Sequence, residues 1–93
     1  MFIYLLEVEL RIYDSFSLKD KRKVVKSIID YGRNTLKISS AELSGLDMIN
    51  FAHLGFVTIS NDNDTAKGIL QKLLDRIEKN YPVEISNFSL ERI

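Results

Sequence analysis

Residues 4–12, Tyr4-Leu-Leu-Glu-Val-Glu-Leu-Arg-Ile12, alternate between apolar and charged side chains. Every second residue is large and apolar, whereas Glu7, Glu9 and Arg11 occupy positions between them. This period of two predicts a β-strand with one buried face and one polar face. The two glutamates and the arginine should therefore lie together on an open face of a sheet.

Residues 17–29, Ser17-Leu-Lys-Asp-Lys-Arg-Lys-Val-Val-Lys-Ser-Ile-Ile29, predict the first helix. Ser17 has the position of an N-cap, and Asp20 follows three residues later, as in a capping box. The helix should continue to about Asn34, because one apolar stripe extends that far. The stripe comprises Leu18, Val25, Ile28, Ile29 and Gly32.

The rest of the chain predicts three more strands and one more helix. Strand patterns cover residues 36–43, 51–60 and 83–92, and residues 44–50 connect the first two of them. A strongly amphipathic helix pattern covers residues 66–77, and Pro82 stops it. The order β-α-β-β-α-β predicts a ferredoxin-like α+β sandwich, in which two helices cover one face of a four-stranded antiparallel sheet. Residues 1–93 should form a single domain.

The composition excludes several classes of protein. The formal net charge is +0, so the whole surface is not a coat for nucleic acid or for a membrane. There is no cysteine, which removes disulfides and thiolate chemistry and fits a reducing cytoplasm. The apolar start of the chain is interrupted by Glu7, so we expect neither a signal peptide nor a membrane span, and a cytoplasmic location.

Positive charge is concentrated at the start of the first helix. Helical geometry places four of these cations on one arc of about 100°, with a further arginine on the same side two turns later. Lys21 falls beside the apolar stripe, along which its stem can lie. The candidate phosphate-contacting residues are Lys19, Lys21, Arg22, Lys23, Lys26 and Arg33.

Two interpretations of this cluster remain open. A solvated helix face is the ordinary role of such charges. However, the positive end of the helix dipole disfavours cations, and neighbouring like charges repel one another by about 0.2–0.5 kcal/mol per pair. A phosphate-contacting surface would explain the placement, with weak, salt-sensitive binding that does not depend on sequence.

No set of residues in the sequence predicts catalysis. Glu7 and Glu9 form a carboxylate pair, but Arg11 stands beside them and favours a surface ion-pair cluster. His53 is the single histidine, and the sequence shows no partner that would orient it, which favours a structural role. We therefore expect no enzyme activity, no metal and no cofactor.

The third strand is apolar on both faces. Leu54 and Phe56 belong to one face, and Val57 and Ile59 belong to the other. Because the helices cover only one side of the sheet, a second subunit or the connection at 44–50 must cover the other apolar residues. We favour a homodimer through the open face, with Glu7, Glu9 and Arg11 beside the apolar residues.

The same face does not suit base stacking of the kind used by RNA-recognition motifs. Exposing Tyr4 for that purpose would also expose Leu6 and Val8 and would bury Glu7 and Glu9.

The chain resembles the YlxP-like proteins, a family of small bacterial domains of unknown function with a ferredoxin-like fold. The matching segments are residues 6–12, 17–27, 33–34, 41–42, 54–56 and 60–62. Genes of this family often lie among those for translation initiation and ribosome maturation, which implies work near RNA. The chain departs from the family after Asp47. Family members often carry a tryptophan at the next position, whereas this chain has Met48.

The resemblance and the basic segment together favour a non-enzymatic accessory protein that binds ribosomal RNA or a ribosomal subunit. The alternative is a self-associating domain of the same fold that binds a protein or a small ligand. That alternative is supported by the third strand and by the net neutrality of the chain.

Overall fold

The computed structural model describes residues 1–93 as four β-strands and two α-helices joined by turns. The strands are β1 (Phe2–Ile12), β2 (Ser39–Ser44), β3 (Phe51–Ser60) and β4 (Val83–Arg92), and the helices are α1 (Leu18–Asp30) and α2 (Asn63–Asn80). The strands form one antiparallel sheet in the order β2-β3-β1-β4. The predicted ferredoxin-like arrangement is confirmed.

The alternation of β1 decides which face of the sheet the helices cover. Leu6, Val8 and Leu10 are fully buried beneath the helices, whereas Glu7 and Glu9 lie on the opposite face and are only half-buried. Most of the remaining core side chains come from β3 and from the apolar stripes of both helices. They include Leu54, Phe56, Val25, Ile28, Ile29, Leu70, Leu73 and Ile77.

The start of α1 is fixed by the predicted cap. Ser17 has extended backbone geometry, and its side-chain oxygen accepts a hydrogen bond from the Asp20 backbone N–H at 3.1 Å. In return, Asp20 Oδ2 accepts from the backbone N–H of Phe16 at 3.1 Å. These two bonds satisfy N–H groups that would otherwise lack partners at the helix start.

The end of α1 differs from the prediction. The α-helix ends at Asp30, and a π-helical turn follows over Tyr31–Thr35, closed by a bond from Leu36 N–H to the Tyr31 carbonyl at 3.1 Å. This wider turn brings Gly32 against the sheet, where a Cβ would lie only 2.5 Å from Ser40 Oγ. Lys37 then adopts a positive φ of 58°. The prediction that β2 begins at residue 36 was therefore wrong, because the chain is still turning there.

The second helix is capped by Asp62, whose Oδ2 accepts from both the backbone N–H and the hydroxyl of Thr65. These hydrogen bonds lower the pKa of the exposed Asp62 carboxyl. The helix ends at Asn80, before Pro82, as predicted. Neither helix is long and apolar enough to cross a membrane.

Candidate functional sites

The outer face of α1 carries three cations without an acidic partner. Lys19, Arg22 and Lys23 are exposed and form no ion pair. Lys26 lies one turn further along and is also exposed, but its Nζ lies 2.6 Å from Asp30 Oδ2. The positive charge available to a ligand is therefore strongest in the first two turns of the helix. We call Lys19, Arg22, Lys23 and Lys26 the basic face.

Lys21 does not belong to this face, and its assignment as a phosphate contact was wrong. Its side chain is 1% exposed and points into the protein. Nζ donates to the Gly45 carbonyl at 2.6 Å and lies 2.9 Å from Glu42 Oε2, an ionic contact rather than an aligned hydrogen bond. The charge thus ties α1 to β2 and to the connection that follows it.

Arg33 is exposed, but part of its guanidinium is used within the protein. Nη2 donates to the Ser40 carbonyl at 2.7 Å, which joins the π-helical turn to β2. The residue as a whole stays exposed, although this hydrogen bond holds its side chain near the sheet.

The open face of the sheet has an apolar half. Ile59 is 62% exposed, and Val57 is half-buried beside Leu5. Leu43 of β2 also lies on this surface, at a β-bulge where the register with β3 shifts between Glu42 and Ser44. Its side chain lies over Gly55, where a Cβ would come within 2.7 Å of it. The apolar half therefore comprises Ile3, Leu5, Leu43, Val57 and Ile59.

The connection between β2 and β3 leaves this apolar half uncovered. Met48 lines a shallow cleft at the far end of the face, together with Arg11 and Phe51. Leu46 and Ile49 are exposed at that end of the molecule. The connection therefore does not fold back over Val57 and Ile59.

A hydrogen-bonded chain of three polar side chains crosses the other half of the open face. His53 Nδ1 lies 2.7 Å from Ser44 Oγ, and His53 Nε2 lies 3.0 Å from Glu7 Oε1. Glu7 thus pairs with His53, whereas the predicted ion-pair cluster placed it with Arg11, which forms no ion pair. The sequence reasoning missed these partners because they depend on strand register. One signal was available in the sequence: Glu7 and His53 are both at odd positions of their strands, and these positions lie on the open face.

Ser44, His53 and Glu7 are the residue types of a nucleophilic catalytic triad, but no cleft gives a substrate access to the serine. A cleft of about 230 Å³ is lined by Glu7, Glu9, His53, Asn87, Phe88 and Ser89, and Ser44 is not among its lining residues. No group of three or more acidic or histidine side chains has the geometry of a metal site. The arrangement orients the His53 ring between Ser44 and Glu7.

The domain is a ferredoxin-like α+β domain, as defined by the order of its strands and by the two helices on one face of the sheet. Comparison with solved structures gives the same fold. The chain superposes over its full length on a de novo designed protein with a ferredoxin fold, with a TM-score of 0.62, 18% identity and 84% of that chain covered. At this identity the similarity shows the fold alone.

Residues 3–90 match the family described as "Protein of unknown function (DUF503)". The chain is also 31% identical over 78 residues to the "Uncharacterized protein YlxP" of Bacillus subtilis (strain 168), which covers 84% of this chain and 85% of that protein. The chain therefore belongs to the DUF503 family of YlxP-like proteins.

Proposed function

We propose that this protein is a non-enzymatic, cytoplasmic accessory protein that binds RNA or ribosomal particles through the basic face of α1. The observation that carries the proposal is the exposure of Lys19, Arg22 and Lys23 without acidic partners. Cations at a helix start weaken the helix, so their concentration there favours a role in binding over a role in stability. The translation-gene context implied by the YlxP-like resemblance supports RNA as the ligand.

The size of the basic face sets the expected strength of binding. With three or four phosphate contacts to duplex RNA or DNA, raising the salt concentration from 50 to 200 mM would lower the affinity by about 40- to 150-fold. The reason is that each contact releases counterions on binding. So few contacts give weak binding in which the phosphate backbone, rather than base sequence, is recognised. Ribosomal particles are a suitable ligand because their surface presents dense phosphate.

Cosedimentation with ribosomal subunits at low and high salt tests the proposal. We expect association at low salt that is lost at high salt, and that is weakened when Lys19, Arg22 and Lys23 are replaced by glutamine. The matched control replaces Lys67, Lys72 and Lys79 of α2 by glutamine, which removes the same charge from exposed positions on another helix. Absence of association at every salt concentration, with a normally folded protein, contradicts the proposal. If both triple variants lose the same amount of association, the binding depends on net charge and not on the basic face.

The proposed lack of enzyme activity is supported by the surroundings of Ser44, His53 and Glu7. Ser44 does not line the cleft that His53 and Glu7 border, so no cavity presents a substrate to its hydroxyl. Turnover of acyl or phosphate esters by the wild-type protein, if abolished by Ser44→Ala, would contradict this part of the proposal.

Self-association is a second candidate function, and the apolar half of the open face favours it. Five apolar residues lie together on a surface that neither the helices nor the connection covers. A second copy of the chain is the partner that we propose for this surface. The basic face lies on the opposite side of the sheet, so the two functions do not compete for the same residues.

A further inference from the structure

Two loops at the end of the molecule where α1 begins expose large apolar side chains. One is the turn at residues 13–17 after β1, and the other is the connection at residues 45–50. Their exposed fractions lie between 40% and 80%. The side chains are Tyr13, Phe16, Leu46, Met48 and Ile49, which we call the loop end.

Hydrogen bonds hold the loop end in place. The Ile12 backbone N–H donates to the Asn50 carbonyl at 2.9 Å, and the Ser15 hydroxyl donates to the Ile49 carbonyl. The buried Lys21 Nζ donates to the Gly45 carbonyl. The exposure of these apolar side chains is thus a feature of an ordered backbone.

Phe16 is the most exposed aromatic residue of the chain, at 80%. It precedes the N-cap Ser17, where an apolar residue ordinarily packs on the side chain four positions into the helix. That position holds Lys21, whose side chain turns inward to Gly45 and Glu42. The packing partner is therefore absent and the ring projects into solvent, while the Phe16 N–H remains bound to Asp20 Oδ2.

The charges beside Phe16 indicate what the ring contacts. Lys19, Arg22 and Lys23 follow within two helical turns and have no acidic partner. The acidic residue between them, Asp20, has its carboxylate engaged by the Phe16 N–H of the cap. An aromatic ring next to cations is the combination that proteins use for unpaired nucleotides, where bases stack on the ring and cations hold the phosphates.

We infer that the loop end binds an unpaired base of RNA by stacking on Phe16, while the basic face holds the adjoining phosphates. This inference rests on the proposed function and specifies its ligand as RNA with unpaired nucleotides, in loops or single strands. The aliphatic side chains of Leu46 and Ile49 would be equally suited to a protein partner. The cations next to Phe16 favour RNA, because a protein surface offers no comparable density of negative charge.

Anisotropy titrations with two labelled RNAs test the inference. One is a single strand of about 12 nucleotides, within the range of a single-strand binding site, and the other is the same strand in a perfect duplex. Phe16→Ala should weaken binding of the single strand by roughly 5- to 100-fold, the usual effect of removing one stacked base contact. Binding of the duplex should be unchanged, and Phe16→Tyr should retain single-strand affinity. Because Phe16 is exposed, both variants should melt like the wild type.

The outcomes separate the two proposals. If the wild type binds neither RNA and no ribosomal particle, the proposed function itself is wrong. If the wild type binds both RNAs and Phe16→Ala matches it on the single strand, the inference alone is overturned. Loss of ribosomal-particle binding in Leu46→Ser, with Phe16→Ala unchanged, would assign the loop end to a protein partner and also overturn the inference.

Discussion

Lys21 occupies a helix position that faces inward, between the apolar residues of α1. The sequence predicts that its stem lies along the apolar stripe, and the structure agrees on this direction. Its partners could not be predicted, because Glu42 and Gly45 are distant in sequence and meet Lys21 only after β2 has joined the sheet. The same reasoning explains His53, whose hydrogen-bond partners come from two other strands.

Replacing Lys21 by methionine should destabilise the protein by about 3–5 kcal/mol, because removing one partner of a buried ion pair leaves the other unpaired. Glu42 is partly solvated, so the effect should fall toward the lower value. The double variant Lys21→Met with Glu42→Leu should cost less than the sum of the two single changes. Urea denaturation measures all three free energies of unfolding.

Lys19→Met is the matched control for Lys21→Met, since Lys19 lies two residues earlier and is exposed. It should change the free energy of unfolding by no more than about 0.5 kcal/mol. Equal effects of Lys19→Met and Lys21→Met would show that the buried contacts of Lys21 contribute little to stability.

At the scale of the element, α1 combines an effective cap with an unfavourable charge pattern. Ser17 and Asp20 satisfy the first N–H groups, while Lys19, Arg22 and Lys23 repel one another near the positive end of the helix dipole. Replacing these three cations by glutamine should leave the fold intact and raise stability by up to about 1 kcal/mol. Thermal melts of the triple variant check this expectation. A marked fall in melting temperature would mean that the basic face is structural, and it would weaken the proposal of RNA binding.

The bounds of the elements show which local signals were sufficient. β3 and β4 begin and end at the predicted residues, because the turns at 61–62 and 81–82 carry strong turn chemistry. The start of β2 was missed by three residues, since the π-helical turn and the positive φ of Lys37 leave no periodic signal. The bulge at Leu43 was missed for the same reason, and it places Ser44 opposite His53 on the open face, where simple alternation would turn Ser44 inward.

Both free edges of the sheet carry a bulge, which limits how the molecule can associate. The register of β2 shifts at Leu43, and the register of β4 shifts at Ser86. Bulges on edge strands disturb the ladder that a second sheet would extend. Self-association is therefore favoured through the open face, where apolar side chains are exposed, rather than through the edges.

The area of the open face indicates that the proposed dimer would be weak. Four strands at a spacing of about 4.8 Å and a length of about 30 Å present roughly 600 Å² in projection. A stable interface typically buries about 800 Å² per partner, so the apolar half alone is too small. The polar half must also be covered, and Arg11, which has no ion pair within its own chain, can then meet Glu9 of the second copy.

A dimer of this kind should form at micromolar concentration, and two adjacent residues of β3 test where it forms. Val57 lies on the open face and Phe56 is fully buried in the core. Val57→Lys should therefore give a folded monomer, whereas Phe56→Lys should unfold the chain, because it buries an unpaired charge. Analytical ultracentrifugation over a range of concentrations, with circular dichroism of each variant, separates these results.

Since α1 lies on the other side of the sheet, the dimer would present two basic faces outward, and RNA binding by the wild type should exceed that of Val57→Lys through avidity. A wild-type protein that sediments as a monomer at every concentration would rule out this interface and leave the apolar half of the open face for a different partner.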